Sequence, residues 1–334
     1  MLKPQNIKLL CNENLSSNDI DIALKYMLND DIGVQSSAFL SLLKAKGESI
    51  DEIYDITIKL KSLMESVKID QITMDIVGTG GDGYNTINIS TASAILSAAC
   101  GVKVTKHGNR SVSSLCGSAD LLEELGVNIN SSNQSMKDCL NKTNFGFLFA
   151  PNYHPTLKKI KQLRKRIGFP TIFNLIGPLL NPTNCEYIML GVSDLKYLDI
   201  ISEVALKLKF KKALIFHGCG LDEISTLGNI NIVEINSGFS RKFTLNPKLY
   251  GFNYCSLDDL KGGSPAYNAK VVEQALKGHQ SPLSDTIILN AAMANYLYGI
   301  CENIESGINH ASETLKSGIA YQTLGNIKYF LKTH

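Results

Sequence analysis

Two short segments rich in glycine and polar side chains follow apolar runs in the first half of the chain. The first, residues 78–83 (GTGGDG), holds four glycines in six positions. Because glycine accepts positive φ angles, the N–H groups of such a turn can converge on an anion such as phosphate. Residues 85–91 (NTINIST) then bring amide and hydroxyl groups to a helix start, where the helix dipole favours an anion. The alternative is an ordinary strand-to-helix turn in which Ser90 and Thr91 act only as N-caps.

The second segment, residues 106–114 (KHGNRSVSS), combines two cations with amide, imidazole and hydroxyl groups. Burying Lys106 and Arg110 without an anionic partner costs free energy, so this composition favours a bound anion. A solvated loop with helix caps is the alternative interpretation. Ser118 then precedes another helical pattern, which makes a third helix start suited to an anion. Together the two segments predict a phosphate-binding site.

A strongly basic run, residues 158–166, carries six cationic side chains in nine positions. Such a run is usually a solvated helix face, and a nucleic-acid-binding surface is another interpretation. An apolar stripe recurs at helical spacing from Leu157 to Ile167, and Arg164 falls on or beside it, whereas Lys158, Lys161 and Lys165 point elsewhere. Because a planar guanidinium suits a carboxylate or phosphate, Arg164 is a candidate for binding an acidic ligand.

Two adjacent carboxylates, Asp222 and Glu223, follow a strand candidate and a glycine-containing turn. Mg²⁺ takes one or two protein carboxylates and fills its other positions with water and substrate phosphates. Asp-Glu pairs are also common on surface loops. The pair therefore predicts a magnesium site only in combination with the phosphate-binding segments.

The bulk composition limits the class of protein and its partners. The chain has 334 residues, 44% of them apolar, with 33 basic and 31 acidic side chains. This length predicts a large core, and the near balance of charge argues against nucleic-acid or membrane partners. No signal-peptide pattern or membrane-spanning apolar run is present, and eight scattered cysteines without a C-x-x-C pair are typical of a reducing compartment. We expect a cytoplasmic protein whose cysteines are small buried apolar residues.

Helical periodicity dominates the first part of the chain. Capping boxes at residues 16–19 and 49–52 open the first and third predicted helices, residues 34–46 form the second, and the apolar repeat of the third extends to Val67. From residue 72 onward, short β-branched runs alternate with helical stretches, which is typical of a sheet with crossover helices. The predicted strands are 73–77, 102–105, 145–149, 187–190, 213–216 and 230–235. The predicted helices of this part are 90–100, 118–125, 156–167, 194–208, 266–276, 284–298 and 304–316, with a last turn or two near Tyr329.

Several stretches, in this order, carry a resemblance to a known family: GTGGDGYNTINIST, KHGNRSVSS with GSADLLEELG, FAPNYHP, TIFNLIGPLLNP and HGCGLDEIST. Together they resemble the anthranilate phosphoribosyltransferases, enzymes of tryptophan biosynthesis that join anthranilate to phosphoribosyl pyrophosphate. The resemblance spans nearly the whole chain, and KHGNR is its most specific part. It implies an α/β protein of the nucleoside phosphorylase and phosphoribosyltransferase type, and a homodimer. A small all-helical N-terminal domain, residues 1–68, would also receive a segment near 156–184, and a central sheet flanked by helices would form the domain of residues 69–334.

The resemblance also implies roles for individual residues. Lys106 and Arg110 would act electrostatically, and no general base is assigned. Two Mg²⁺ ions would be held through Ser90, Asp222 and Glu223. The residues implied for phosphoribosyl pyrophosphate are Gly78, Gly81, Asp82, Thr86, Asn88, Ile89, Ser90, Thr91, Lys106, His107, Gly108, Asn109, Arg110, Ser111, Val112, Ser113, Ser114 and Ser118. Those implied for anthranilate are Gly78, Asn109, Arg164, His107 and His154.

The chain departs from the family pattern at a few positions, and two other functions remain open. The departures, which put fine substrate or loop preferences in question, are Ile87, Leu115, Cys116, Phe169 and Pro170. A pyrimidine nucleoside phosphorylase would share the two-domain fold but not the KHGNR sequence. A non-catalytic nucleic-acid-binding relative would use the basic run at 158–166.

Overall fold

The computed structural model describes residues 3–30, 33–111 and 114–332. Its first helices are α1 (Pro4–Leu10), α2 (Ser17–Asn29), α3 (Val34–Lys46) and α4 (Ile50–Ser62). The predicted capping boxes of α2 and α4 are confirmed, because in each the N-cap serine and the acid three positions on bond to each other's backbone. No sequence pattern predicts α1, whose seven residues are too few for clear periodicity.

The chain leaves α4 earlier than the apolar repeat predicts. The helix ends at Ser62, so the extension of the helix to Val67 is wrong. The N–H of Glu65 instead donates to the carbonyl of Tyr153 at 2.8 Å, and that of Val67 donates to the carbonyl of Pro182 at 3.0 Å. Val67 is buried in a small apolar cluster that is separate from the larger cores. The apolar spacing continues past the helix because a different part of the fold buries its last member.

A seven-stranded sheet forms the centre of the described chain, in the order β3-β2-β1-β4-β5-β6-β7. Its strands are β1 (Met74–Gly78), β2 (Val104–Gly108), β3 (Phe145–Phe149), β4 (Tyr187–Gly191), β5 (Lys212–Gly218), β6 (Ile230–Asn236) and β7 (Phe239–Leu245). The first five are parallel, and β6 and β7 complete the sheet as antiparallel strands. The sequence pattern predicts all but β7, whose side chains are mostly exposed and therefore show no apolar alternation.

Helices flank this sheet, as the predicted fold class requires. They are α5 (Ile89–Ala99), α6 (Ser118–Glu124), α7 (Asn133–Thr143), α8 (Ala150–Tyr153), α9 (Lys158–Ile167), α10 (Ile172–Ile176), α11 (Lys196–Lys207), α12 (Pro265–Leu276), α13 (Pro282–Tyr298), α14 (Ile304–Lys316) and α15 (Ile319–Phe330). The sequence pattern does not predict α7, α8 or α10, and it predicts only the end of α15. The helix α10 lies within residues 170–182, whose Gly177-Pro178 and Asn181-Pro182 pairs predict a hinge or domain crossing.

The sheet is buried on both faces. In β4, Met189 contributes to one core, and Ile188 and Leu190 contribute to the other. The core on the first face includes α5 and α12–α15, whereas the second includes α11, α9, α10 and the N-terminal helices. The N-terminal helices thus share a core with one face of the sheet. The domain boundary at residue 68, and the grouping of 156–184 with these helices, stay predictions.

The cysteines follow the expectation only in part. Those that are buried are Cys100, Cys116, Cys139 and Cys185, but Cys11 and Cys219 are exposed. Within the described ranges, no helix is both long and apolar enough to cross a membrane.

Several parallel strands end at one edge of the sheet. The chain passes from β1 outward to β2 and β3 and then returns to β4 on the other side of β1. In open parallel sheets, ligands bind beyond the carboxyl ends of the strands at such a reversal. Gly78 and Gly191 are register partners at this edge, and a Cβ on either would overlap atoms of Asp222. Glycine at these strand ends therefore lets the loop after β5 approach the sheet.

We expect Gly191→Ala to lower the free energy of unfolding by about 1–3 kcal/mol, because the added methyl group would overlap the backbone carbonyl of Asp222. Gly325→Ala, in the exposed interior of α15, is the matched control. Nothing lies within 4 Å of a Cβ there, so this change should raise the free energy of unfolding by about 0.5–1 kcal/mol. Urea unfolding followed by circular dichroism measures both. Equal stability of Gly191→Ala and the wild type would contradict the packing argument.

Candidate active site

A cavity of about 540 Å³ lies beyond the carboxyl ends of β1 and β2. The predicted site residues that line it are Gly78, Gly81, Asp82, Thr86, Asn88, Ser90, Thr91, Lys106, His107, Gly108, Asn109, Arg110, Ser111, Ser114, Ser118, Arg164, Asp222 and Glu223. Of the other predicted residues, Ile89 and His154 do not line the cavity, and Val112 and Ser113 lie outside the described residues. The fold thus collects into one cavity the segments that the sequence suggests for phosphate, metal and acidic ligand.

The glycine-rich turn adopts a backbone that favours glycine. Gly80, Gly81 and Gly83 have φ angles of +64°, +82° and +80°, which confirms the predicted positive φ. The N–H of Gly80 donates to Oδ2 of Asp222 at 2.6 Å. The turn therefore both faces the cavity and holds one carboxylate of the predicted magnesium site.

A carboxylate of the chain itself occupies the start of α5. The helix begins at Ile89, and the N-cap residue Asn88 makes no capping hydrogen bond with its side chain. The N–H of Ser90 donates to Oε1 of Glu223 at 3.2 Å, so the positive end of the helix dipole faces this acid. The Asn88 side chain donates to the carbonyl of Cys116 at 2.9 Å and joins this turn to the loop after β2. Ile89 is fully buried in the core.

Lys106 is a buried cation surrounded by acids. It is 2% exposed, and its Nζ donates to a backbone carbonyl of β1 at 2.6 Å and to Oγ of Ser90 at 3.2 Å. Burial lowers the pKa of Lys106, whereas the charges of Asp75, Glu223 and Asp222 raise it. Carboxylates of the chain therefore compensate this charge in part. That its burial also requires an anionic ligand stays a prediction.

Asp75, in β1, is a buried acid that no sequence motif singles out. Its carboxylate accepts from Nδ2 of Asn181 at 2.8 Å and from the N–H of His107 at 3.3 Å. Burial raises the pKa of Asp75 to about 6, and the nearby Lys106 opposes this rise. Asn181 also donates to the carbonyl of Thr105 at 2.7 Å, so it anchors the segment after α10 to β1 and β2. An acid inside an otherwise apolar strand is the sequence signal that marks this position.

Asp222 and Glu223 form a buried pair of hard oxygen donors beside Ser90. Burial raises the pKa of Asp222 to about 7, and burial together with the charge of Asp222 raises that of Glu223. Carboxylate and hydroxyl oxygens suit Mg²⁺. Among the described residues, no group of three or more His, Cys, Asp or Glu side chains could hold a metal ion. A magnesium ion at this pair would therefore complete its coordination with water or with oxygens of a bound ligand.

Arg110 is paired with acids of α6. Its guanidinium lies 3.2 Å from Oδ1 of Asp120 and donates to Oε1 of Glu123 at 2.9 Å. The hydrogen bond with Glu123 is the main cause that raises the pKa of Arg110. Asp120 also accepts from the N–H groups of Ser111 and Gly117, each at 2.9 Å. The loop is therefore folded onto α6, and acids of the chain are the anionic partners of Arg110 in this structure.

His107 and His154 form a buried pair. Their Nε2 atoms are 3.2 Å apart, so one ring donates to the other and both cannot be protonated. Burial, assisted by His154 and Lys106, lowers the pKa of His107 to about 3. Burial lowers the pKa of His154 to about 4. At neutral pH the pair is uncharged, and it borders the cavity through His107.

Arg164, in α9, is a partly buried cation with no acidic partner among the described residues. It lines the cavity, and its Nη2 donates to Oδ1 of Asn174 at 3.1 Å. Its guanidinium carbon lies 5.7 Å from the ring centroid of Phe173. Burial lowers the pKa of Arg164. Lys161 and Lys165 are exposed, which confirms their predicted orientation, and the side chain of Lys158 lies outside the described part of the chain.

The cavity also has walls that the sequence motifs miss. Phe173, Asn174, Gly177 and Pro178 line it from α10 and the turn that follows. The side chain of Asn174 accepts from the N–H of Thr171 at the start of α10, which is one half of a capping box, and the T-x-x-N pattern is a sequence signal for a helix start. The pattern does not reveal that this helix faces a ligand, because that depends on how α10 packs against the sheet.

Two departures from the family pattern lie against predicted site residues. The carbonyl of Cys116 accepts from Asn88, as described above. Pro170 borders Gly81, with its Cγ 3.5 Å from the position that a Cβ on Gly81 would take. The remaining departures are one buried residue and two exposed ones, Ile87, Leu115 and Phe169.

Comparison with known proteins first places the fold and cavity in a class. The model of the "Glycosyl transferase family, a/b domain" matches residues 70–321. The anthranilate phosphoribosyltransferase of Chlamydia caviae is 43% identical over 325 residues, covering 97% of this chain and 95% of the relative. That of Bacillus cereus strain B4264 is 43% identical over 321 residues, with coverage of 95% and 94%.

Solved structures agree over nearly the whole chain. The anthranilate phosphoribosyltransferase of Thermus thermophilus is 35% identical with a TM-score of 0.88, covering 98% of this chain and 99% of that one. The Saccharomyces cerevisiae enzyme in complex with PRPP and Mg is 27% identical with a TM-score of 0.88 and coverage of 98% and 96%. The chain belongs to the anthranilate phosphoribosyltransferase family.

We expect His154 to contribute stability that is lost as the pH falls from about 6.5 to about 4, because the unfolded chain binds a proton at His154 that the folded chain excludes. Relative to the wild type, His154→Gln should therefore gain on the order of 3 kcal/mol in free energy of unfolding over this range, at about 1.4 kcal/mol per pKa unit. His107 acts in the same sense as His154, and Asp75, Asp222 and Glu223, whose pKa values are raised, act in the opposite sense, but these four groups are present in both proteins. Urea unfolding at several pH values measures the difference.

His279→Gln, at an exposed position, is the matched control and should retain the dependence of the wild type. If the curves of free energy against pH for His154→Gln and the wild type ran parallel between pH 4 and 7, burial of a neutral His154 would be ruled out.

Proposed function

We propose that this protein transfers the 5-phosphoribosyl group from phosphoribosyl pyrophosphate to the amine of anthranilate. The products are N-(5-phosphoribosyl)anthranilate and pyrophosphate, and the reaction belongs to tryptophan biosynthesis. The observation that carries the proposal is that Arg164, a cation without an acidic partner among the described residues, opens into the same cavity as the glycine-rich turn and the Asp222–Glu223 pair. Arg164 suits the carboxylate of the acceptor, whereas the glycine-rich turn suits a diphosphate and the Asp222–Glu223 pair suits its cation.

The donor is proposed to lie along the glycine-rich turn, the start of α5 and the loop after β2. Backbone N–H groups of the turn and the hydroxyl and amide side chains beyond it would contact the phosphates. The proposed contacts are Gly78, Gly81, Asp82, Thr86, Asn88, Ser90, Thr91, Lys106 and the loop 107–114, with Ser118. Ile89 faces the core, so we leave it out of this set.

We propose that Ser90, Asp222 and Glu223 hold Mg²⁺ together with oxygens of the donor. The fit rests on their hard oxygens and on the raised pKa values of both buried acids, whose charged forms a cation would favour. When bound, magnesium would neutralise negative charge on the leaving pyrophosphate. The family resemblance predicts two ions, and this number stays part of the proposal.

Lys106 and Arg110 are the residues proposed to stabilise the departing group. Bond breaking at C1 of the ribose runs through an oxocarbenium-like state, so charge develops on the pyrophosphate. Lys106 is already positioned by Ser90 beside the acidic pair. Arg110 would exchange its partners in α6 for the donor. An arylamine is unprotonated at neutral pH, so its orientation matters more than a general base, and none is assigned.

The acceptor is proposed to bind on the side of the cavity formed by α9. Its carboxylate would meet Arg164, with Asn109 and Gly78 beside the ring. His107 would form a neutral wall, and His154 would support it from behind. A neutral histidine pair there leaves Arg164 as the cation that selects the carboxylate.

The proposed domains would supply different walls of the cavity. Arg164 and Asn174 belong to the segment near 156–184, and the donor contacts belong to 69–334. A rotation between the two groups, with residues 170–182 as the hinge, would open and close the cavity. We propose that the enzyme works in the cytoplasm.

We expect the protein with anthranilate, phosphoribosyl pyrophosphate and Mg²⁺ to deplete anthranilate fluorescence, and excess chelator to abolish the loss. The physical reason is that the buried acids need a cation before they can face a diphosphate. Glu223→Gln should raise the Mg²⁺ concentration required for half-maximal rate. Phosphate-dependent cleavage of thymidine in place of anthranilate loss would favour a nucleoside phosphorylase. Salt-sensitive DNA binding without turnover would favour the nucleic-acid-binding alternative.

We also propose that the chain forms a homodimer through its small helical domain. Val34, Leu163, Ile167 and Phe169 line a second cavity of about 350 Å³ between α3 and α9. Val34 is 62% exposed and Phe169 is 44% exposed, which is unusual for large apolar side chains gathered in one groove. A second copy of the chain would cover them.

We expect light scattering to give twice the chain mass of 36.5 kDa for the wild type, and Val34→Glu to shift the protein toward the single-chain mass, because a charge in an apolar interface is costly to desolvate. Leu249→Glu is the matched control at a position that is 80% exposed and outside this groove. A wild type of single-chain mass, or equal masses for all three proteins, would refute this interface.

A further inference from the structure

The hydrogen-bond partners of Asn174 determine which way its side-chain amide is turned. In the first turn of α10, its Oδ1 accepts from Nη2 of Arg164 at 3.1 Å and from the N–H of Thr171 at 3.2 Å. Both partners are donors only, so the exchanged orientation would place the amide NH₂ against two donors. Nδ2 therefore points the other way and lies 3.7 Å from the position that a Cβ on Gly81 would take. One side chain thus touches Arg164 and borders the glycine-rich turn.

The contact with Asn174 holds Arg164 without neutralising it. An amide oxygen accepts a hydrogen bond but carries no net charge. The other two cations of the cavity have carboxylates nearby: Lys106 is close to Asp75, and Arg110 pairs with α6. Arg164 has no such partner among the described residues, and only burial shifts its pKa. Among these three cations, the positive charge of Arg164 is thus the one available to a ligand.

From this geometry we infer that Asn174 is a positioning residue that sets the specificity of the acceptor site for a carboxylate. It orients the guanidinium of Arg164 and, by being neutral, keeps that guanidinium available to the acceptor. The inference rests on the proposed function and deepens it. A purely structural role is the alternative, because Asn174 also caps the N–H of Thr171 at the start of α10.

Asn174→Asp separates the two roles. An aspartate at this helix position accepts the same hydrogen bonds and suits the helix dipole, so a purely capping residue would tolerate the change. The same substitution places a carboxylate beside Arg164, where it compensates the guanidinium and competes with the acceptor's carboxylate. The structural role predicts no change in specificity, and the positioning role predicts its loss.

The measured quantity is the inhibition constant of 2-aminobenzamide divided by the KM of anthranilate. The two compounds differ in whether a neutral amide or a carboxylate lies beside the amine, so this ratio reports the preference for the carboxylate. Effects on the donor site act on both constants and cancel. We expect the ratio to fall at least tenfold in Asn174→Asp, with a melting temperature like that of the wild type.

Matched variants complete the experiment. Arg164→Ala should lower the ratio to a similar extent, and adding Asn174→Asp to it should change the ratio little further, because Asn174 acts through Arg164. Lys165→Ala, exposed on the same helix, should leave the ratio unchanged. Asn174→Ser removes the contact with Arg164 without adding charge and should lower the ratio less than Asn174→Asp does. It also provides the test if Asn174→Asp does not fold.

An unchanged ratio in a folded, active Asn174→Asp or Asn174→Ser protein would overturn this inference and leave the proposed function standing. A wild type that consumes no anthranilate would overturn the proposed function, and this inference with it.

Discussion

The arrangement on which the rest of the site depends is the burial of Lys106 among Asp75, Asp222 and Glu223 at the carboxyl edge of the sheet. Buried charges are costly unless opposite charges lie close by. Each of these groups comes from a different part of the sheet: β2 carries the lysine, β1 carries Asp75, and the loop after β5 carries the other two acids. The strand register and the glycines at the strand ends are therefore part of what brings these charged groups together.

The charges in this arrangement do not balance. Three carboxylates face one ammonium group, and the pKa values of all three acids are raised. Glu223 also occupies the helix terminus of α5, where a phosphate would otherwise be attracted. A phosphate arriving there would meet acids of its own sign, so a cation between them is the physical condition for the proposed binding. In that arrangement the protein would supply ligands of the cation and not the complete counter-charge of the donor.

Much of the fold can be predicted from local sequence patterns. Capping boxes, apolar runs and glycine turns are properties of neighbouring residues, which is why β3 and α14 agree with their predicted bounds and why the outward lysines of α9 were predictable. β7 escapes prediction because its side chains are mostly exposed, and α7 because its sequence is largely polar.

The partners of the site residues cannot be predicted from local sequence patterns. The carboxylates near Lys106 and the pairing of Arg110 with Glu123 depend on contacts that folding creates between distant segments. A charged residue in a sequence shows that compensation is needed, but it does not show whether a ligand or the chain provides it. The same limit applies to Asn174, whose capping pattern is local and whose contact with Arg164 is not.

If the donor binds Arg110 as proposed, the pairing of Arg110 with α6 makes that binding an exchange of one anion for another. Only the difference between the old and new partners would then contribute to affinity, and the pair is accessible enough, at 41% and 38% exposure of the two side chains, for the exchange to cost little. A singly charged anion would gain almost nothing over Glu123, whereas a diphosphate with several oxygens would gain more. The loop would consequently discriminate between anions by their charge.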